Sequence, residues 1–361
     1  MSSSGLVFFG NAKSVFVSRT ASCLAEKNIE IDIYDLCKGE VEGKGRVRNL
    51  FFRVKEVFFF LCALKKAKTA VIHCLSYDVV WLVPLLRLRF QRVVIIAYGS
   101  DVLRRSKKFD FFLKFGLLFV SRFYTTNQNV LDAAISSFPI VRGKSEVIRF
   151  GLPVFDAIDK FVAEGIDSSK AKSLLGLDCQ KDLICLGYSA SSGQRQRELM
   201  SFFCDKDMRK FNFLVPAQYG DPDVIQDLCN FRSESVCVND MFVLTEFYDV
   251  DKIALLRLAT SVLLNHSVTD AFSGTVQETV YAGGLVLAVE SLPYENMPGY
   301  ESAIKSYEQL DDVMHFFESP TYEKWKLEAK NSRDYNVRTL HETSSWSGVL
   351  DDWKKLLGMN Q

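Results

Sequence analysis

Short apolar runs alternate with helix-length stretches along the first part of the chain. "GLVFFG" (5–10), "IEIDIYD" (29–35), "TAVIHCL" (69–75), "RVVIIAYG" (92–99) and "FVSRFYTT" (119–126) read as strands, with "SEVIRFG" (145–151) as a sixth. Their near-continuous apolar character fits parallel strands covered on both faces rather than half-exposed ones. Between them, residues 13–27, 48–66, 79–90 and 127–136 have the length and spacing of helices. Alternation of this kind predicts an α/β fold with a doubly wound sheet.

The pattern then restarts. "DLICLGYS" (182–189), "FNFLVPAQYG" (211–220), "SVCVND" (235–240), "SVLLNHS" (261–267) and "GLVLAVES" (284–291) form a second set of strands. Gly151 and Pro153 make 150–168 the expected linker. A length of 361 residues exceeds what one core usually supports. The expected organisation is a first Rossmann-like domain over 1–165 and a second over 166–335. A helical tail over 336–361 is expected to pack back on the first. Two such domains facing across a cleft would bind ligands at the carboxyl ends of their strands.

The zero net charge conceals a division. Residues 1–150 hold 24 Lys/Arg against 12 Asp/Glu, and the remainder holds 20 against 32. Nine cysteines include no C-x-x-C pair, and several lie inside apolar runs, so free buried thiols are expected rather than a zinc site or disulfide framework. The start "MSSSGLVFFGNAKS" lacks the basic region of a secretory signal, and no apolar run reaches the length of a spanning helix. A cytoplasmic protein is the expectation.

The stretch "TDAFSGTVQETVYAGG" (269–284) carries the most suggestive chemistry. It follows a strand and opens a helix near Ser273, whose first-turn N–H groups and dipole attract anions. Ser273 and Gly274 have little bulk, so a phosphate could approach the backbone closely. Asp270 stands at the strand end, and Glu278 lies more than one turn into the helix. Helix capping by Asp270 or Ser273, with Glu278 as a solvated charge, is the alternative.

This stretch resembles the acid-x7-acid motif of retaining GT-B glycosyltransferases of the family 4 type. Asp270, Phe272, Ser273, Glu278 and "AGGLVLA" occupy the corresponding places. "YGSDVLR" (98–104), "VIHCLSYD", "TTNQNVLDAA" and "VIRFGLPVFDAID" resemble further family segments in order along almost the whole chain. The resemblance implies a nucleotide-sugar-binding second domain and an acceptor-binding first domain, which the excess of Lys and Arg over Asp and Glu in residues 1–150 makes the membrane-facing one. Glu278 would hold the nucleotide ribose and Asp270 would orient the donor sugar. Phe272 and the backbone at Ser273, Gly274 and Thr275 would border the diphosphate, and His73 and Asp101 would serve catalysis from the first domain. The family's basic pair is replaced here by "GYSASSGQRQRE". In this loop Gly187 ends a strand, Ser189 offers a hydroxyl, and Arg195 or Arg197 could neutralise the leaving diphosphate. The "iG-x-S" pattern is also similar to that of lipid-linked 4-acetamidofucosyl transferases, GT-B enzymes with inverting chemistry.

The acid pairs "DKD", "DPD" and "DVD" sit in surface-loop contexts, so no metal and no cofactor are expected, the nucleotide sugar being a substrate. "RVRNLFFRVKEVFFFLCALKKAK" and "LRRSKKFDFFLKFGLLF" interleave cations with large apolar side chains, as suits an anionic membrane surface. No nucleic-acid module is visible. The expected activity is hexosyl or acetamidohexosyl transfer from a UDP-, GDP- or TDP-linked donor to a lipid-linked or saccharide acceptor in surface polysaccharide, O-antigen or glycolipid assembly. It would take place at the inner face of the cytoplasmic membrane. The competing readings are an epimerase or phosphorylase of the same fold and a non-catalytic nucleotide-sugar-binding protein.

Overall fold

A computed structural model describes residues 6–10, 14–35, 67–75, 80, 83–103, 110–270 and 273–359. The predicted helix 48–66 lies outside these residues, as does the first basic-aromatic segment apart from its last two residues. The chain divides into two compact units, one of residues 1–151 with 348–361 and one of 152–347.

In the first unit, β1 (Leu6–Gly10), β2 (Asp32–Asp35), β3 (Ala67–His73), β4 (Phe90–Ala97), β5 (Arg122–Thr125) and β6 (Ser145–Val147) form a six-stranded sheet. Its order is β2-β1-β3-β4-β5-β6 and every pairing is parallel. Residues 93–97 of β4 are wholly buried, as its apolar run requires for a strand covered on both faces. The helix Asp110–Leu118 approaches Val80 through Gly116, where a Cβ would fall 2.1 Å from the Val80 carbonyl oxygen. The terminal helix Trp346–Leu357 belongs with this unit from Gly348 onward. Trp353 is fully buried and donates its indole N–H to the Arg149 carbonyl (2.9 Å), and Thr69 donates to the Leu357 carbonyl (2.9 Å).

The second unit holds β7 (Asp182–Leu186), β8 (Phe211–Pro216), β9 (Met241–Leu244), β10 (Thr260–Asn265), β11 (Leu285–Val289) and β12 (Ile304–Tyr307). All pairings are again parallel, in the order β12-β11-β10-β7-β8-β9. This is the doubly wound order of a dinucleotide-binding domain, with its topological switch between β7 and β10.

Three local expectations need correcting. The expected linker contains the helix Val154–Ala163, whose face of Val154, Phe155, Ala157 and Ile158 is buried in the second core. Phe155 stacks on Tyr281 with ring centroids 3.9 Å apart, so the boundary falls at Gly151 rather than near 165. The segment "SVCVND" is not a strand: Val236 and Val238 are exposed, and β9 begins one residue beyond it, at Met241. Cys204 and Cys237 are disulfide-bonded rather than free, joining the end of the helix Gln196–Cys204 to the loop before β9. Sequence spacing hides that pair because 33 positions separate the two residues.

Candidate functional site

The carboxyl ends of β7 and β10 flank the switch point of the second sheet, where doubly wound sheets bind ligands. β7 ends in Leu186, and Gly187 follows with φ +70°, a conformation side chains rarely adopt. A Cβ there would also come within 3.0 Å of Gln194 and Gln196. Those two buried glutamines shape the loop. Gln194 Oε1 accepts from the Tyr188 N–H (3.2 Å), and Gln196 Nε2 donates to the Leu186 and Pro216 carbonyls (2.9 and 2.8 Å). Val268 N–H donates to the Gly193 carbonyl (2.8 Å), which joins this loop to the one after β10.

Asp270 is the meeting point of the two loops. Its Oδ2 accepts from the Tyr188 hydroxyl (3.0 Å), the Asn265 amide (3.1 Å) and the Tyr294 hydroxyl. Burial and the Asp270 charge both raise the titration of Tyr188 and Tyr294, so both phenols stay protonated as donors. Asp270 is thus held in one orientation at the strand edge. Phe272 lies outside the described residues.

Beyond it, the helix Gly274–Ala282 begins, with Ser273 at the N-cap position. The Ser273 side chain makes no capping bond, so the first-turn N–H groups are not closed off by it. Thr275 and Glu278 are buried, and an arginine that the motif did not point to explains both. Arg257, on the helix Val250–Ala259, donates from Nε to Glu278 Oε2 (2.9 Å) and from Nη2 to the Thr275 hydroxyl (3.1 Å). Both charged side chains of that pair are buried. Glu278 is therefore not the solvated charge of the alternative reading. The signal for Arg257 was a lone cation in the apolar run "IALLRLAT".

The two loop arginines part company. Arg197 lies over the Phe231 ring, 3.5 Å from its centroid, and pairs with Asp227 at 3.5 Å, so the surface of the neighbouring helix Pro222–Glu234 occupies it. Arg195 has φ +52° and lies 4.0 Å from Glu198, which is 3.5 Å from His266 Nε2. His266 ends the β10 edge and shares a 2.9 Å hydrogen bond with the Tyr307 hydroxyl. Burial lowers its titration, Glu198 opposes that, and Arg195 adds to it. Ser189 is buried beside this loop. The structure thus gathers Gly187, Ser189, Arg195, Asp270, Ser273, Gly274, Thr275 and Glu278 on two adjoining loops and the helix after them, while Arg197, which lines a surface cavity with Arg195, is taken up by Phe231 and Asp227.

In the first unit, His73 closes β3 and Asp101 lies in the short helix Ser100–Leu103 beyond β4. Tyr98 connects them. Its hydroxyl shares a hydrogen bond with His73 Nδ1, and its N–H donates to Asp101 Oδ1 (2.9 Å). Asp101 also accepts from the Gly99 N–H at Oδ1 (2.9 Å) and from the Leu75 N–H at Oδ2 (2.7 Å). Three backbone donors suit a tie between the ends of β3 and β4 better than a free base. His73 is buried against Phe8, and burial pushes its titration down to about 3, so the ring is neutral at ordinary pH. Among the described residues, its buried Nε2 has no hydrogen-bond partner. Cys74, in the left-handed region at φ +88°, has its thiol pushed up to about 12 by burial and by Asp101.

Among the described residues no group of three His, Cys, Asp or Glu could hold a metal ion, and no described helix is long and apolar enough to cross a membrane.

Comparison with protein-family models and with curated proteins gives no match. Solved structures do match along nearly the full length. A sucrose-phosphate synthase from Thermosynechococcus elongatus aligns over 98% of both chains at 12% identity and a TM-score of 0.74. Anabaena HepE in complex with UDP-glucose aligns over 97% of this chain and 91% of its own, at 13% identity and 0.67. The catalytic domain of starch synthase IV from Arabidopsis thaliana, bound to ADP and acarbose, aligns over 98% of each chain at 11% identity and 0.63. The fold is GT-B. At these identities the likeness is one of architecture, and the GT-B scaffold carries the loops and helix just described.

Proposed function

We propose that this chain is a glycosyltransferase that takes a sugar from a nucleotide-sugar donor. One observation carries the reading: at the switch point of the second sheet, a fixed carboxylate (Asp270), an uncapped helix start (Ser273–Thr275) and a buried, arginine-held carboxylate (Glu278) follow one another in the order a nucleotide sugar needs. Glu278 receives the ribose hydroxyls, with Arg257 fixing its carboxylate so that one oxygen is left for the ligand. The helix N–H groups and Arg195 receive the diphosphate. Asp270 accepts from a hydroxyl of the donor sugar.

In the reaction, the bond from the anomeric carbon to the diphosphate oxygen breaks and that oxygen keeps the electron pair. The acceptor hydroxyl oxygen forms the new bond, and its proton passes to the departing phosphate. Arg195 and the helix dipole stabilise the charge that grows there. Resemblance to the family 4 type supports retention of configuration, and the helix start with Arg195 can take the place of a cation at the diphosphate. On this reading His73, neutral and hydrogen-bonded to Tyr98 at Nδ1, serves an acceptor hydroxyl, and Asp101 fixes the backbone around it.

The acceptor is lipid-linked on this reading. The helix Asp110–Leu118 and the residue after it expose Phe111, Phe112, Phe115, Leu118 and Phe119 within the basic first unit, and such a face suits insertion at an anionic bilayer surface. HepE, solved with UDP-glucose, makes uridine donors the first to try.

Incubation with UDP-, GDP- and TDP-linked sugars and measurement of nucleoside diphosphate release tests the proposal. Asp270→Asn is expected to lower turnover by about 10²–10³-fold, the range for loss of a charged group that orients reacting atoms. Arg195→Ala should be slowed and Arg197→Ala should not. Absence of release from every donor, or full activity in Asp270→Asn, overturns the reading.

A further inference from the structure

A cavity of about 660 Å³ opens at the other edge of the second sheet, where β7, β10 and β11 begin. Strands of five or six residues span about 17–20 Å, so the cavity is remote from the carboxyl edge that holds Asp270. Lys172, Lys326, Lys330 and Arg333 line it, against the carboxylates of Asp167 and Asp182.

Both carboxylates are already engaged. Asp182 accepts from Lys326 (2.7 Å), Tyr322 (2.5 Å) and Ser261 (2.7 Å), and these bonds outweigh the effect of its burial and lower its titration. Asp167 caps the helix Ser168–Leu174 by accepting from the Lys170 N–H at 2.9 Å. The cations are less well served. Lys172 is 5% exposed, and its only ion partner among the described residues is Asp182 at 3.7 Å, beyond hydrogen-bond reach. The Lys172 ammonium therefore keeps donors that a ligand in the cavity can take. Arg333 packs its stem against Gly283 and lines the same wall. Serines 168 and 169 and the apolar side chains of Val162, Ile166 and Leu258 complete the wall.

We infer that this cavity is a second ligand site, for the phosphate monoester of a small sugar. The phosphate would take the donors of Lys172, Lys330 and Arg333, whose charge Asp182 offsets only in part. The volume lies within the range of small-molecule sites and exceeds what a bare phosphate fills. Hydroxyls at one wall and an apolar face at another suit a sugar body. The site stands independently of the donor reading, since none of its residues belongs to the carboxyl edge of the sheet.

Calorimetric titration of the full chain with glucose 6-phosphate, and separately with glucose and with inorganic phosphate, tests it without any donor present. Glucose 6-phosphate is expected to bind more tightly than either fragment. Arg333→Ala and Lys330→Ala, both at the cavity rim, should each weaken it by about tenfold or more, and Arg195→Ala should leave it unchanged. No binding, or binding lost in Arg195→Ala and kept in the two rim variants, overturns the site. Inorganic phosphate binding as tightly as the sugar phosphate overturns the ligand class.

Discussion

At the carboxyl edge of the first sheet, His73 and Asp101 are linked through Tyr98, the ring is neutral, and the carboxylate is filled by backbone N–H groups. At the same edge of the second, Asp270 gathers two phenols and an amide, Glu278 is paired with Arg257, and Arg195 stands on the adjoining loop. Both sheets are parallel and both offer the edge where such sheets take ligands. The first edge holds a neutral ring and a carboxylate taken up by backbone N–H groups, the second a carboxylate held by phenols and an amide and another paired with arginine. On the proposed function, strand topology selects where binding occurs and the side chains at each edge select which part of the reaction it serves. The first arrangement suits a hydroxyl, whereas the second adds an open helix start and Arg195 that suit a diphosphate.

The strongest way to break that contrast is to remove the charge pair of the second edge. Arg257→Met leaves the Glu278 carboxylate buried and unpaired, which is expected to cost about 3–5 kcal/mol in denaturant unfolding. Glu278→Gln strands Arg257 in the same way, so a loss of nucleotide binding in that variant alone does not separate ribose binding from misfolding. The double variant Arg257→Met, Glu278→Leu removes both charges and should regain most of the stability. Its nucleotide affinity, read by titration with UDP, should stay lost. Full affinity in the folded double variant would remove Glu278 from the donor site.

Much of this edge was legible in the sequence, and the reason is local. The strand-turn-helix order around 261–282 is carried by an apolar run, small residues and a helical pattern, all close together in the chain. The partners that fix the acids were not legible. Tyr188, Asn265 and Tyr294 reach Asp270 from three different segments, and Arg257 comes from the preceding helix. No spacing rule joins residues that meet only after β7, β10 and β11 are laid side by side. The same limit hid the Cys204–Cys237 pair and the partners, Phe231 and Asp227, that occupy Arg197. β12 escaped notice because "IKSY" is short and only half apolar.

A second test sharpens the contrast through pH. The unfolded His73 ring takes a proton near pH 6.5, while the folded ring refuses one until about 3. Protonation then favours the unfolded chain throughout that window. Stability is full above 6.5 and should fall by about 1.4 kcal/mol for each pH unit below it, flattening near 3. His73→Gln should remove that dependence from the acid limb of the unfolding profile. A limb of unchanged slope would mean that the ring is protonated in the native state and that the first edge is not neutral.

The smallest effect is expected at Asp101, and it decides whether that residue reacts or only holds the backbone. In Asp101→Asn the side-chain oxygen can still accept from the Tyr98 and Gly99 N–H groups. The amide nitrogen then faces the Leu75 N–H, so one of three bonds is replaced by two donors pointing at each other. Loss of one such bond costs about 1–3 kcal/mol, visible as a lower denaturant midpoint at unchanged slope. Because the ends of β3 and β4 stay joined by the His73–Tyr98 hydrogen bond and by the Cys74 N–H to the Ile96 carbonyl, His73 keeps its place and turnover should fall by less than about tenfold. A proton-transferring carboxylate behaves differently, since its removal lowers turnover by about 10²-fold or more. Turnover reduced that far in an Asn variant of unaltered stability would make Asp101 a reacting group, and the first edge would then carry charge chemistry of its own.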